Sequence, residues 1–223
     1  MSFKLFMEAL LKFVLGIVIV GLLVFLPAGT FNYDKGWLFM GVLFIPIFIA
    51  GVIMMIFNPS LLRARLEAKE KQKVQGVVIK LSGLMFIIGF VIAGLDFRFK
   101  WLVLPNYVSY IASFVFILSY LVFGEVSREN TYLFKTIKVE QGQKIVDRGL
   151  YGIVRHPMYS ATIFLFLSMP LILGSLISFF IFLLYPVLIV VRTLNEEKVL
   201  TDELDGYKEY MKKVKYRIFP FIW

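Results

Sequence analysis

The chain has 223 residues, of which 60% are hydrophobic and 17% charged, with 24 phenylalanines and a net charge of +9. A soluble domain is nearer half apolar and about a quarter charged, so this composition excludes a water-soluble globular protein and points to an integral membrane one. With no cysteine and one histidine, it also excludes a disulfide framework and a thiolate nucleophile, and leaves too few ligands for a zinc or iron centre.

A membrane crossing needs about 20 apolar residues to match a hydrocarbon core about 30 Å thick. Four runs meet that length in order, over 5–26, 37–57, 77–95 and 103–124. Lys4 ahead of the first run imitates a signal peptide, but no small-x-small cleavage site follows Leu26-Pro27-Ala28-Gly29-Thr30, so a retained helix is expected. Between the second and third runs, Asn58 to Lys69 reads as a short surface helix. Asn58 is its N-cap and Pro59 its first helical residue. Glu67 and Lys71 have i,i+4 spacing, Gly76 marks the end, and Leu62 and Leu66 would rest on the membrane.

The fifth run, Ser160 to Val191, contains no charged residue. It is too long for one ordinary span, and Pro170 with Gly174-Ser175 near its middle supplies turn residues. We expect a tight helical hairpin with arms over 160–173 and 175–191; the alternative is one long kinked helix. A polar tail follows over 192–223, with a helix expected after Asn195 and up to Tyr216. Tyr207, Tyr210, Met211 and Val214 fall on one helical face, expected to pack over the protein's own cytoplasmic face, with a partner helix or the membrane surface as the alternatives. The last residues, Arg217 to Trp223, are apolar apart from one arginine, so the tail can tuck back toward the bilayer and hold Arg217 against a buried acid. The expected fold is all-α: a polytopic membrane helix bundle, one domain over 1–223, with about six membrane segments and a cytoplasmic C-terminal helix.

If the spans alternate, all but three of the 24 basic residues fall on one side; Lys35, Arg98 and Lys100 are the exceptions. The positive-inside rule makes the crowded side, and both termini, cytoplasmic. Trp37 and Trp101 beside the sparse loops suit interfacial anchoring. Because each Lys or Arg near an anionic leaflet gains about 1 kcal/mol, the net charge needs no nucleic acid partner.

The two polar ends of the hairpin carry the chemistry. Gly149-Leu150-Tyr151-Gly152-Ile153-Val154-Arg155-His156-Pro157-Met158-Tyr159 precedes it and Arg192-Thr193-Leu194-Asn195-Glu196-Glu197 ends it. Taken singly, these are an ordinary histidine, interfacial tyrosines and an acidic helical turn. A hairpin forces them together, and ionisable groups packed at membrane depth are costly and usually functional.

At these residues the sequence resembles the isoprenylcysteine carboxyl methyltransferase and phospholipid methyltransferase superfamily, in its prokaryotic branch. The resemblance continues through Pro170 to Ser175, Leu204-Asp205-Gly206-Tyr207, Tyr216-Arg217-Ile218-Phe219-Pro220 and Ala93 to Arg98. It is thin over the first span. It implies an S-adenosylmethionine-dependent enzyme whose acceptor is lipidic or amphipathic and enters from the bilayer, with no metal. The implied cofactor-binding set is Gln143, Ile145, Val146, Gly149, Tyr151, Arg155, His156, Pro157, Tyr159, Glu196 and Glu197. Within it Glu196, and with less support Glu197, suits the cofactor's ammonium. Arg155 suits its carboxylate, His156 and Tyr159 its adenosine, and backbone near Ile145 and Val146 the adenine edge. Arg217 and Asn130 are the candidates for positioning the acceptor. Relatives often carry a histidine where this chain has Gln143, which can hydrogen-bond but not ionise. Two rival readings remain: a membrane ene-reductase using NADPH, since sterol reductases share a histidine-bearing hairpin signature, and a non-enzymatic scaffold of the same fold.

Overall fold

The computed structural model describes residues 3–67, 73–130 and 143–223. Its elements in order are α1 (Phe3–Ala28), α2 (Asp34–Phe57), α3 (Pro59–Glu67), α4 (Lys73–Phe99) and α5 (Asn106–Glu129). A 3-10 turn (Gly149–Gly152) then leads to α6 (Pro157–Ile172), α7 (Leu176–Phe182), α8 (Leu184–Glu203) and α9 (Tyr207–Lys213). Five stretches are long and apolar enough to cross a membrane: α1, α2, α4, α5 and the α7–α8 unit; α6 is a shorter apolar helix. The chain is therefore a polytopic helical membrane bundle; of the six membrane segments expected, five reach spanning length among the described residues, and α6, with 16 residues, is shorter.

Asn58 accepts the Leu61 N–H at 3.1 Å and so caps α3, while Leu62 is buried. Gly76 does not end that surface segment; it lies in the first turn of α4, and the apolar run that follows carries the helix on. The Glu67–Lys71 pairing falls outside the described residues.

Residues 160–191 form the hairpin and not a single kinked helix. The reversal is at Leu173–Ser175, where the Ser175 N–H bonds the Pro170 carbonyl at 3.0 Å and Val103 pairs with Ser175 across the turn. Pro170 itself stays inside α6. The returning arm runs well past Val191: α8 continues to Glu203, and Arg192, Glu196 and Glu197 ride on it. The expected tail helix is thus divided, its first part extending α8 and its second forming α9 after Leu204–Gly206. At 1.5 Å per residue, a stretch of 28 residues from Leu176 to Glu203 outreaches the hydrocarbon core and carries its last turns into the polar zone.

Lipid tails compete with protein for apolar side chains, so helices in a bilayer hold together by close packing. Val24, Phe39, Phe90, Phe116, Ile172 and Phe182 are enclosed in the core. Gly94 lets α1 and α4 touch, since a Cβ there would lie 2.5 Å from the Val24 carbonyl oxygen. Leu15, Leu22, Ile45, Phe48, Phe114 and Leu121 are exposed, as side chains facing lipid should be.

Contacts at the helix ends define two faces. On one, Lys12 reaches the Leu66 carbonyl and Gln75 reaches that of Arg192. On the other, Tyr33 donates to the Leu173 carbonyl and Lys35 to that of Leu104. Buried Asp96 accepts the Leu102 N–H and the Ser175 hydroxyl, tying the hairpin turn to the end of α4.

Candidate active site

The base of the hairpin closes around one carboxylate. The backbone first brings the pieces together: Arg155 N–H donates to the Tyr216 carbonyl at 2.9 Å and His156 N–H to that of Arg217 at 2.8 Å. The loop before α6 and the C-terminal tail therefore run paired. His156 ends the loop as the residue before α6, and Pro157 takes the first helical position, where its missing N–H costs nothing.

Glu197 sits between loop and tail. Its Oε1 accepts Arg155 Nε at 2.7 Å and lies 3.3 Å from His156 Nε2, a contact that needs the proton on Nε2. Its Oε2 accepts Arg217 Nε at 2.8 Å. The Arg155 and Glu197 side chains are 4% and 6% exposed, that of Arg217 29%. Arg155 further donates from Nη1 to the carbonyls of Val214 and Lys215, both at 2.8 Å. Paired, hydrogen-bonded charges of this kind tolerate burial that isolated ones do not. The expectation that the tail would hold Arg217 against a buried acid is met, and that acid is Glu197.

Glu196, on the same turn of α8, is only half-buried and has different company. The Tyr159 hydroxyl donates to it, and Arg192 Nε donates to that hydroxyl at 2.8 Å. The Tyr159 ring stacks on His156 with centroids 5.6 Å apart, joining the two clusters.

Gly149, Tyr151 and Asn130 form the outer wall. Gly149 has φ +58, and a Cβ there would stand 1.6 Å from a Glu129 carboxylate oxygen, a contact only glycine permits. The same carboxylate accepts the Leu150 N–H at 3.0 Å. Asn130 Nδ2 donates to the Tyr151 hydroxyl at 3.1 Å, and the Tyr210 hydroxyl to the Tyr151 carbonyl at 2.7 Å. Ile145 packs on Tyr207, Tyr210 and Val214, which are buried on the face of α9 expected from their spacing. Val146 and Gln143 lie half-buried in the extended strip leading to Gly149. Burial pushes the Tyr207 phenol well above its ordinary pKa, with the charges of Glu197 and Glu196 adding to the effect, so it stays a neutral donor.

Two of the expected cofactor-binding residues already have partners within the protein. Arg155, proposed for a ligand carboxylate, uses Nε and Nη1 inside the protein. Glu197, weighed as an ammonium partner, has both oxygens engaged by cationic side chains. Sequence reasoning also missed three buried atoms around the same turn of α8: Gln75 Oε1, Thr193 Oγ1 and the Tyr207 hydroxyl have no hydrogen-bond partner among the described residues. Buried polar groups are nearly always satisfied. Thr193 could have been found by its spacing from Glu196 and Glu197; Gln75, from a distant helix, carried no local signal.

Fold and site together define a polytopic helical membrane protein with an ionic knot at the mouth of a helical hairpin. Residues 108–205 match the phospholipid methyltransferase family, part of the membrane methyltransferase superfamily that the motifs resemble. The matched segment holds the Arg155 loop and Glu196-Glu197, and it supports a membrane methyltransferase. Among curated proteins, a Delta(14)-sterol reductase of Mus musculus is 29% identical over 121 residues, 48% of this chain and 29% of its own length. A Delta(14)-sterol reductase of Methylotuvimicrobium alcaliphilum is 32% identical over 92 residues, 40% of this chain and 22% of its own. The aligned part spans less than a third of either relative.

Proposed function

We propose that the protein transfers a methyl group from S-adenosylmethionine to a lipidic or amphipathic acceptor at the cytoplasmic face. The observation that carries this reading is the half-buried Glu196 carboxylate, oriented by Tyr159 and Arg192 within the segment matched to the methyltransferase family. The residues fit the cofactor: one carboxylate remains accessible for an ammonium, and the orphaned polar atoms of Gln75, Thr193 and Tyr207 suit a ligand rich in donors and acceptors. When bound, the cofactor supplies an electrophilic methyl group on a sulfonium.

Each residue's part follows from its surroundings. Glu196 pairs with the ammonium, and Tyr159 with Arg192 fixes the carboxylate's direction. His156 and Tyr159 present a stacked aromatic wall to the adenosine, while the strip through Gln143, Ile145 and Val146 offers backbone groups to the adenine edge. Gly149 and Pro157 shape the loop, and Tyr151 seats Asn130 at the acceptor side. Arg155 and Glu197 hold the tail over the site, and through Glu197 they set the position of Arg217, which faces the acceptor. The contribution of this assembly is orientation and exclusion of water, as in-line displacement at carbon requires. A carboxylate acceptor needs no base, whereas an amine or hydroxyl must lose its proton.

Direct binding to detergent-purified protein tests the reading. S-adenosylmethionine and its demethylated product should bind, and Glu196→Gln should weaken both at least about tenfold, the loss expected when a charge-assisted hydrogen bond worth about 1.5–3 kcal/mol is removed. Unchanged affinity in Glu196→Gln would overturn the site assignment. The curated relatives favour one rival: both are named as sterol reductases, and an NADPH-dependent ene-reductase would bind NADPH and neither methyl-transfer ligand.

A further inference from the structure

The opposite face of the bundle is also hollowed. A cavity of about 440 Å³ opens there, lined among others by Lys35, Lys100, Asn32, Asn106 and Tyr110. Its size falls within the usual range for small-molecule sites, roughly 300–1,000 Å³. It is separate from the Arg155–Glu197 knot, sharing no residue with it.

Three features make its electrostatics positive. Lys35 and Lys100 face the same space and repel one another across it. Neither is paired with a carboxylate among the described residues; Asp96, the nearby buried acid, is taken up by the Leu102 N–H and the Ser175 hydroxyl. Asp34 lines the rim but is exposed. The first turns of α2 and α5 also line the cavity through Asp34, Lys35 and Asn106, and neither of these 24-residue helices has a side-chain cap. Each such helix start leaves backbone N–H groups unsatisfied and carries roughly half a positive charge. Two lysines and two helix starts of roughly half a charge each still outweigh the two carboxylates, Asp34 at the lining and Asp96 behind it.

The lysines are also positioned. Lys35 donates to the Leu104 carbonyl, and Lys100 Nζ sits 4.4 Å above the Phe97 ring, which itself stacks on buried Tyr33 with centroids 4.0 Å apart. Trp37 and Trp101, each about half exposed, stand beside these lysines in the chain and mark the level of the membrane interface. Leu38 and Val103 add an apolar wall next to the charges.

We propose that this cavity binds a phosphate ester, seated between Lys35 and Lys100 and against the starts of α2 and α5. Its level and its apolar wall suit the headgroup and glycerol of a phospholipid in the leaflet opposite the Arg155 site. The proposal does not depend on which reaction that site performs.

The test is saturable binding to the purified full chain in detergent, read by native mass spectrometry and by Trp fluorescence. The probes are dihexanoyl phosphatidylglycerol, glycerol 3-phosphate and dihexanoylglycerol. The phosphatidylglycerol should bind, Lys100→Gln should weaken it at least fivefold, and Lys100→Arg should restore it. Lys100 is exposed, so these variants keep the fold, and an unchanged thermal midpoint verifies that. Phosphatidylglycerol binding well above glycerol 3-phosphate assigns the site to a lipid headgroup; equal binding upholds the phosphate site and assigns it to a soluble ester. Equal binding of the neutral dihexanoylglycerol, or no effect of Lys100→Gln, overturns the proposal.

Discussion

The two adjacent glutamates of α8 are chemically identical and differ entirely in surroundings. Glu197 is enclosed by Arg155, His156 and Arg217, whereas Glu196 meets only the Tyr159 hydroxyl in this cluster. Removing one member of a buried ion pair leaves an uncompensated charge and costs roughly 3–5 kcal/mol. Glu197→Gln should therefore lower the thermal midpoint sharply and loosen the tail, while Glu196→Gln should leave the midpoint near wild type and act on ligand affinity. Equal destabilisation by both would show that the division between a structural and a binding carboxylate is wrong. Gly149 gives a second contrast at this scale. An alanine there meets the Glu129 carboxylate and takes a left-handed backbone costing about 1–2 kcal/mol. Gly149→Ala should lower stability by that amount or more, read as a lower thermal midpoint in detergent; an unchanged midpoint would mean that Glu129 does not seat the loop.

Among the elements, the hairpin was legible because its signal is local: a long uncharged run with turn residues near its middle. The meeting of Arg155 with Glu197 followed from topology alone. The length of α8 was not legible, because the hydrophobic pattern stops at Val191 while the helix continues on backbone hydrogen bonds and on the anchoring of its polar last turns. Gly76 misled because one glycine costs a helix only about 0.5–1 kcal/mol, which the long apolar run of α4 beyond it outweighs. Gln75 and Tyr207 could not be assigned roles, because their surroundings come from helices distant in sequence. The face of α9, by contrast, was readable from spacing and is where the strip leading to Gly149 rests. That strip is tied to α9 by Lys213 and Asp147 at 2.6 Å, both well exposed. The Lys213 hydrogen bond, more than its charge alone, holds the Asp147 carboxyl below the usual aspartate range. A depressed folded pKa contributes stability above the unfolded value and loses it as pH falls through the folded one. The tie should thus persist through neutral pH and fail only in acid. By NMR titration, Lys213→Met should raise the Asp147 midpoint; no movement would show that the pair does not form in solution, where exposed pairs contribute little.

At the scale of the whole molecule, charge and contact agree on two faces. The starts of α1, α4 and α6 and the end of α8 gather at the face that holds the Arg155 loop, joined by Lys12 to Leu66, Gln75 to Arg192 and Arg155 to Glu197. The links from Tyr33 to Leu173 and Lys35 to Leu104 close the other. The contacts set the spans in alternation and charge gives the direction: among the described residues, every basic one except Lys35, Arg98 and Lys100 belongs to the Arg155 face. We propose from the positive-inside rule that this face is the cytoplasmic one, where a water-soluble methyl donor would reach Glu196 directly while the acceptor stays in the bilayer. The cysteine-free sequence allows a clean test. In intact cells, a membrane-impermeant maleimide should label Thr30→Cys, on the sparse side, and should label Lys208→Cys on α9 only after permeabilisation. The reverse pattern would place the site on the outer side, away from any cytoplasmic cofactor, and would remove the methyltransferase reading together with the topology on which it depends.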